Sequence, residues 1–178
     1  MLQKALSIFQ EMYLYNCKPD IICYNIIIDK LGEAGEEGRV QKLWSKMQSE
    51  GIQPDLMCYS LLLKLFCVTN KMDDALLLLR YMETSTSIQP NTYAYNTIIK
   101  AYLDCRQIKE ALGTFGRIEI WGCDPDLCCL NLFAMYYSEL GQGFKVYMFL
   151  ERMIRRGVKA SDTSFSICIR GSYEARKD

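Results

Sequence analysis

The sequence has no histidine. That removes the Ser–His and Cys–His pairs of nucleophilic catalysis, the commonest general base, and any zinc site that mixes cysteine with histidine. It has no excess of either charge: 21 Lys and Arg face 21 Asp and Glu, for a formal net charge of zero and a pI near 6.3. Strong nucleic-acid binders are usually basic, so this balance lowers the non-specific electrostatic part of any RNA affinity. There is no run long and apolar enough to span a membrane and no signal or transit peptide. The chain opens on Met1-Leu2-Gln3-Lys4-Ala5-Leu6, already inside a helix, so either a targeting segment has been removed or the chain is a fragment. The nine cysteines (Cys17, Cys23, Cys58, Cys67, Cys105, Cys123, Cys128, Cys129, Cys168) contain no C-x-x-C pair. Several recur with a fixed period, and they read as small apolar residues inside helices in a reducing compartment. Clustered metal-ligand carboxylates and a Gly-rich phosphate loop after a strand are also missing. The chain is therefore expected not to be an enzyme and to need no metal or cofactor. A nuclease built on it would require an acidic catalytic domain, for which it has no room.

Proline is scarce as well, and the four that exist mark what is present. Pro19-Asp20-Ile21-Ile22-Cys23-Tyr24-Asn25 returns as Pro54-Asp55-Leu56-Met57-Cys58-Tyr59-Ser60. It returns again as Pro90-Asn91-Thr92-Tyr93-Ala94-Tyr95-Asn96 and as Pro125-Asp126-Leu127-Cys128-Cys129-Leu130-Asn131. A worn copy, Ala160-Ser161-Asp162-Thr163-Ser164-Phe165-Ser166, closes the series, the steps being 35, 36, 35 and 35 residues. A period in this range marks a solenoid of stacked supersecondary units.

Inside each unit the apolar residues recur at helical spacing. Residues 1–20 are the second helix of a partial unit, with Ala5, Leu6, Phe9 and Met12 on one face and Asn16 where later units carry Gly51, Gly122 and Gly157. Full units follow at 21–55, 56–91, 92–126 and 127–161, and 162–178 is a first helix without its partner. First helices hold Ile22, Ile26, Ile27 and Leu31; Tyr59, Leu62, Leu63 and Phe66; Tyr95, Ile98, Ile99 and Tyr102; and Leu130, Phe133, Ala134 and Tyr137. Second helices hold Val40, Leu43, Trp44 and Met47; Ala75, Leu76, Leu79 and Met82; Ile108, Ala111, Leu112, Phe115 and Ile118; and Val146, Phe149, Leu150 and Met153. Asp20 is placed to cap the first of them. Gly38 is a weak point in or at the start of a second helix. The one extra residue falls in Thr84-Ser85-Thr86-Ser87, a surface turn, and the Arg- and Lys-bearing tail is expected to fray. The expectation is an all-α chain of about ten helices and no strand.

The W-x-x-L-G-x-x-Y first helix of tetratricopeptide repeats is absent. Each unit instead runs roughly Tyr-Asn-x-x-Ile, then Ala…Leu-Phe…Met, then Gly-x-x-Pro-Asp. In the third unit these are Tyr95, Asn96, Ile98, Ile99, Ala111, Phe115, Gly122, Pro125 and Asp126; Tyr59, Ala75, Met82, Pro90 and Asn91 match in the second. This resembles the pentatricopeptide repeat family over essentially the whole chain.

The resemblance implies a right-handed α-solenoid of helix–turn–helix repeats that binds single-stranded RNA along the surface lined by first helices, one base per repeat. It also implies that the fifth and last residues of a unit choose the base. They carry over as Asn25 with Asp55, Ser60 with Asn91, Asn96 with Asp126 and Asn131 with Ser161, favouring U, A, U and C from 5′ to 3′. The second residues, Ile22, Met57, Tyr93, Cys128 and Thr163, would wedge between bases. Asp55 and Asp126 also fit a plain reading as helix N-caps, and Asn25 and Asn96 one as partners of nearby backbone. Where the family often has Lys near the end of the first helix, this chain has Glu33, Val68, Asp104 and Glu139. Lys64, Lys100 and Arg170, one turn after the reading residue, are phosphate contacts or solvated surface.

By the same resemblance the setting is a chloroplast or mitochondrion, and the role an adaptor in intron splicing, RNA stabilisation or translation alongside other RNA-processing proteins. The uncapped end faces favour a longer natural array or a homodimer. A protein-binding scaffold is the competing reading, favoured by the neutral charge and acidic helix ends. Polar fifth and last residues in every unit argue against a peptide groove.

Overall fold

The computed structural model describes residues 2–85 and 87–174, with side chains as far as Arg170. Among them are ten α-helices of 13 residues each and no strand: α1 (Leu2–Leu14), α2 (Ile21–Glu33), α3 (Glu37–Ser49), α4 (Leu56–Val68), α5 (Met72–Thr84), α6 (Thr92–Asp104), α7 (Ile108–Ile120), α8 (Leu127–Glu139), α9 (Gly143–Arg155) and α10 (Asp162–Glu174). Thr86, within the Thr84-Ser85-Thr86-Ser87 stretch expected to hold the extra residue, and the tail 175–178 lie outside the described residues.

The helices start and stop by two alternating devices. First helices α2, α4, α6 and α8 begin at Asp20, Asp55, Asn91 and Asp126, whose side chains accept from the backbone N–H groups of Cys23, Cys58, Ala94 and Cys129. Second helices α3, α5, α7 and α9 have no side-chain cap. They follow at once on a left-handed residue: Gly35, Asn70, Arg106 or Gly141. Around it the chain makes paired 5→2 and 6→1 hydrogen bonds, such as Gly35 N–H to Gly32 O at 3.0 Å and Glu36 N–H to Leu31 O at 2.9 Å. These satisfy the last carbonyls of the first helix while reversing the chain. Second helices end the same way at Gly51, Gly122 and Gly157, and α1 ends at Asn16 with φ 54°. Gly38 is only the second residue of α3, so its weak helix propensity falls in the first turn rather than the interior.

The chain divides into two compact units, Met1–Pro90 and Asn91–Asp178. In the first, α2 packs on α1, α3 and α4, and α4 on α5. Its core gathers Phe9, Tyr24, Ile27, Ile28, Leu31, Val40, Met47, Cys58, Leu61 and Leu65. The buried Tyr24 hydroxyl is satisfied, 2.8 Å from a Glu50 carboxylate oxygen and 3.0 Å from the Tyr13 hydroxyl. In the second unit α6 packs on α7 and α8, and α8 and α9 on α10. There Phe115, Phe133 and Phe149 form one aromatic knot, with ring centroids 4.6–5.6 Å apart. In each unit first helices thus lie beside first helices, α2 by α4 and α6 by α8 by α10, with their N-terminal turns side by side within that unit.

Two expectations need correction. Ile26 and Leu112 have apolar spacing but are exposed, because the inward stripe of α2 runs through Tyr24, Ile27, Ile28 and Leu31 and that of α7 through Ala111, Phe115 and Ile118. The cysteines are free thiols as read, but they are not uniformly interior: Cys58 and Cys129 are buried, whereas Cys17, Cys105 and Cys128 are exposed. Cys17, Cys105 and Cys123 lie in turns just past helix ends.

Candidate nucleic-acid interface

In each compact unit the first-helix N-termini carry the fifth and last residues of the repeats. In the first unit of the chain, Asn25 Nδ2 donates to Asp55 Oδ1 at 3.4 Å across the gap between α2 and α4. Asp55 Oδ1 accepts at the same time from Cys58 N–H at 2.9 Å. Burial pushes the Asp55 carboxyl up, but the Cys58 and Asn25 hydrogen bonds outweigh it and leave the group below its ordinary value. In the second unit Asn96 Nδ2 donates to Asp126 Oδ1 at 2.9 Å, and Asp126 Oδ1 accepts from Cys129 N–H at 2.9 Å. The capping reading and the paired reading of these aspartates therefore both hold: one carboxylate oxygen does both. The Asn25 and Asn96 amides bond these last side chains of their own units instead of nearby backbone.

The other two pairs differ. Ser60 is buried and its hydroxyl donates to Leu56 O at 2.8 Å, while Asn91 is exposed and accepts from Ala94 N–H at 3.1 Å. Ser60 belongs to the first compact unit and Asn91 opens the second. Asn131 and Ser161 are joined through a third residue: Ser164 Oγ donates to Asn131 Oδ1 at 2.8 Å and lies 3.2 Å from Ser161 Oγ.

The second residues all face solvent. Ile22 is 62 % exposed, Met57 49 % and Tyr93 46 %, and Cys128 and Thr163 are exposed too. Ile22 and Met57 in the first compact unit, and Tyr93 in the second, are large apolar side chains left in water at the same place of their repeats, as a base stack would cover.

The three candidate phosphate contacts are placed differently. Lys64 Nζ sits 2.8 Å from Asp29 and 3.1 Å from Glu33, both on α2. Burial works against its charge, yet these two carboxylates hold the ammonium above its ordinary value. Lys64 is thus neither free for phosphate nor simply solvated. Lys100 and Arg170 are exposed. Lys100 borders an open groove of about 240 Å³ beside α6 and α8, where Arg106 adds a second positive charge and Asp104 and Glu139 cancel both.

What these helix starts can do chemically is donate and accept hydrogen bonds at fixed spacing. The buried thiols are poor nucleophiles, since burial pushes Cys58 up to about 12 and Cys129 higher. Among the described residues no group of three or more His, Cys, Asp or Glu could hold a metal ion, and no helix is long and apolar enough to cross a membrane. Sequence reasoning missed Cys58 and Ser164. Their signal was the recurrence of a thiol or hydroxyl at the third place of a unit, of which only the cysteines were read, as packing.

A model of the PPR repeat family matches residues 19–68 and 90–134, more than half of the chain. Models described as pentatricopeptide repeat domain and PPR repeat match residues 2–34 and 57–86. A chloroplastic pentatricopeptide repeat-containing protein of Arabidopsis thaliana is 26 % identical over 142 residues, covering 78 % of this chain and 29 % of that protein. The structure of pentatricopeptide repeat protein PPR10 in complex with an 18-nucleotide psaJ RNA element superposes with a TM-score of 0.83 at 19 % identity, over 96 % of this chain and 25 % of PPR10, a maize protein. The PPR domain of Arabidopsis thaliana protein-only RNase P 1 in complex with tRNA superposes with a TM-score of 0.61 at 14 % identity, over 84 % of this chain and 79 % of that one. These likenesses show the all-α solenoid fold that the sequence led us to expect. The chain spans less than a third of the Arabidopsis relative and of PPR10.

Proposed function

The chain belongs to the pentatricopeptide repeat family, and from that premise we propose that it binds single-stranded RNA, one base per repeat, over the units 21–55, 56–91, 92–126 and 127–161. The observation that carries this reading is the hydrogen-bonded pairing of fifth and last residues, Asn25 with Asp55 and Asn96 with Asp126, at helix starts whose aspartates are exposed while Asn96 is buried. A peptide groove has no use for such a pair. An RNA base does, because an amide beside a carboxylate offers a directional donor and acceptor to a Watson–Crick edge.

The reading takes Asn25/Asp55, Ser60/Asn91, Asn96/Asp126 and Asn131/Ser161 as selecting U, A, U and C, with Ile22, Met57, Tyr93, Cys128 and Thr163 between the bases. Lys100 and Arg170 are the cations free to meet phosphate. Lys64 would have to leave Asp29 and Glu33 first. We place the protein in organellar RNA processing, such as splicing, stabilisation or translation, acting as an adaptor without catalysis of its own. The chloroplastic relative and the RNA bound to PPR10 support that setting.

The test is binding of a labelled single-stranded RNA containing UAUC, beside variants with each base changed, at two salt concentrations. Selective binding with a modest salt slope is expected, because the formal net charge is zero and Lys64 is held by two carboxylates. Binding without selectivity would discard the base assignments and keep RNA. No binding by folded protein would favour the protein-scaffold reading, which the neutralised Lys64 already favours.

A further inference from the structure

The amide of a base-reading asparagine has two ends, and its recognition of a base depends on which end faces which way. In the first repeat both ends are held. Asn25 Nδ2 reaches the Asp55 carboxylate at 3.4 Å, and Cys58 Sγ donates to Asn25 Oδ1 at 2.9 Å. A carboxylate only accepts and a thiol proton is donated, so the two jaws permit a single orientation of the amide. In the fourth repeat the jaw at Oδ1 is Ser164, at 2.8 Å, and Ser164 Oγ also accepts from Ser161 N–H at 3.3 Å. Cys58 and Ser164 occupy the same place, the third residue of the following repeat, and each is 0 % exposed. Neither touches the face that a base would use.

We propose that the third residue of the following repeat is a positioning residue for base recognition, with Cys58 setting the Asn25 amide and Ser164 setting the Asn131 amide and linking it to Ser161. The inference rests on the RNA reading above and adds to it: a repeat's choice of base is made by three residues, one of which never meets the base. The third repeat supplies a natural contrast. Asn96 Oδ1 is buried with no hydrogen-bond partner, although Cys129 stands at the equivalent place. There the amide is held by Asp126 alone.

A purely structural role is the competing account. The third residue is also the third residue of its helix, and Ser164 completes a capping arrangement with Ser161 in which Ser164 N–H donates to Ser161 Oγ at 3.3 Å. Removal of a packing or capping residue weakens binding of every RNA alike. Loss of a positioning residue changes the ratio between bases.

The experiment uses the whole chain and two readouts. The first is the base ratio from fluorescence anisotropy with UAUC RNA and its CAUC and UAUU variants. The second is the side-chain amide NMR signal of Asn25 and Asn131 in protein without RNA. Cys58→Ala is compatible with folding, since Ala94 holds this place in another repeat. It should lower the preference for U over C at the first base by about three- to tenfold, the worth of one neutral hydrogen bond, and release the Asn25 amide. Cys58→Ser should restore both. Ser164→Ala should do the same at the fourth base, with Ser164→Cys as its rescue. Cys129→Ala, which removes no hydrogen bond to Asn96, should leave the third-base ratio unchanged. A Cys58→Ala protein with an unaltered Asn25 amide, or with all bases weakened alike and no rescue by serine, overturns the proposal. If the parent chain shows no base preference, the base assignment has failed. The amide signals then decide the positioning role by themselves, and an amide left ordered in Cys58→Ala overturns it.

Discussion

On the proposed base assignment, Asp126→Ser should shift the preference of the third repeat from U to C. The variant gives Asn96 a serine partner, the same pair that Asn131 and Ser161 make in the fourth repeat. Two effects on stability follow from the geometry. Serine caps a helix about as well as aspartate, so the hydrogen bond from Cys129 N–H at 2.9 Å is replaced at a cost of a few tenths of a kcal/mol. The hydrogen bond from Asn96 to a charged acceptor, also at 2.9 Å, is weakened or lost, which costs about 1–2 kcal/mol. Asp126→Ala removes the cap as well, at about 0.5–2 kcal/mol, and leaves a nearly buried Asn96 N–H without an acceptor, at about 1–3 kcal/mol. Alanine should therefore destabilise by about 1.5–5 kcal/mol and serine by less, about 1–2.5 kcal/mol. Discrimination between bases is worth about 1–3 kcal/mol per position, a factor of about 5 to 150. Anisotropy with UAUC and UACC RNA reads that factor, and urea unfolding of the same samples reads stability. The expected result is a reversed preference at the third base with the other three unchanged. A folded Asp126→Ser protein that keeps the parent preference, or loses all four bases equally, refutes the reasoning.

Stability should fall in acid through Asp55 and Asp20, whose carboxyls the folded chain holds below their ordinary value, through hydrogen bonds that outweigh burial for Asp55 and mainly the Cys23 N–H for Asp20. Each favours the folded state above the ordinary carboxylate value, and that contribution drains away as pH drops through the lower folded value. Asp55→Asn, which still caps as Asn91 does, should flatten this part of the acid unfolding curve. Arg106→Gly should raise stability by about 0.5–1 kcal/mol, seen as a higher urea midpoint at unchanged slope, because Arg106 sits at φ 60° where Gly35 and Gly141 hold the same turn. Phe133→Ala should cost about 3–5 kcal/mol by emptying the knot with Phe115 and Phe149, read by the same unfolding curve.

The helices were legible because each boundary is written locally. An Asp or Asn after Pro caps, a Gly or Asn reverses the chain, and thirteen residues between them alternate at helical period. Residues paired across one repeat, Asn25 with Asp55, were legible because the period supplied the register. What escaped needed two registers at once. Lys64 is matched to Asp29 and Glu33, which stand on the preceding first helix; read along one helix, it looks like a solvated lysine. Cys58 looked like packing because burial and donation are compatible in a thiol, and only the neighbouring helix reveals the acceptor of Cys58 and of Ser164. Ile22 and Ile26 show the limit of hydropathy alone: both are apolar and exposed, one at the register proposed to meet bases and the other one turn further on.

The charge balance of the chain takes on a specific meaning in this arrangement. The 21 cations and 21 anions do not merely cancel at a distance. On the first-helix face Lys64 is held by two carboxylates, and Lys100 and Arg106 share their groove with Asp104 and Glu139. A surface of this kind attracts phosphate weakly, so on the proposed RNA reading little of the affinity would come from counterion release. The paired polar residues and the apolar second residues would then supply most of the binding energy. Because that energy depends on matching the base, a repeat with weak electrostatics loses a larger share of its binding to a mismatch than a basic one does. On that reading the chain would trade general affinity for selectivity, and a longer run of repeats would be the direct way to recover the affinity without losing the selectivity.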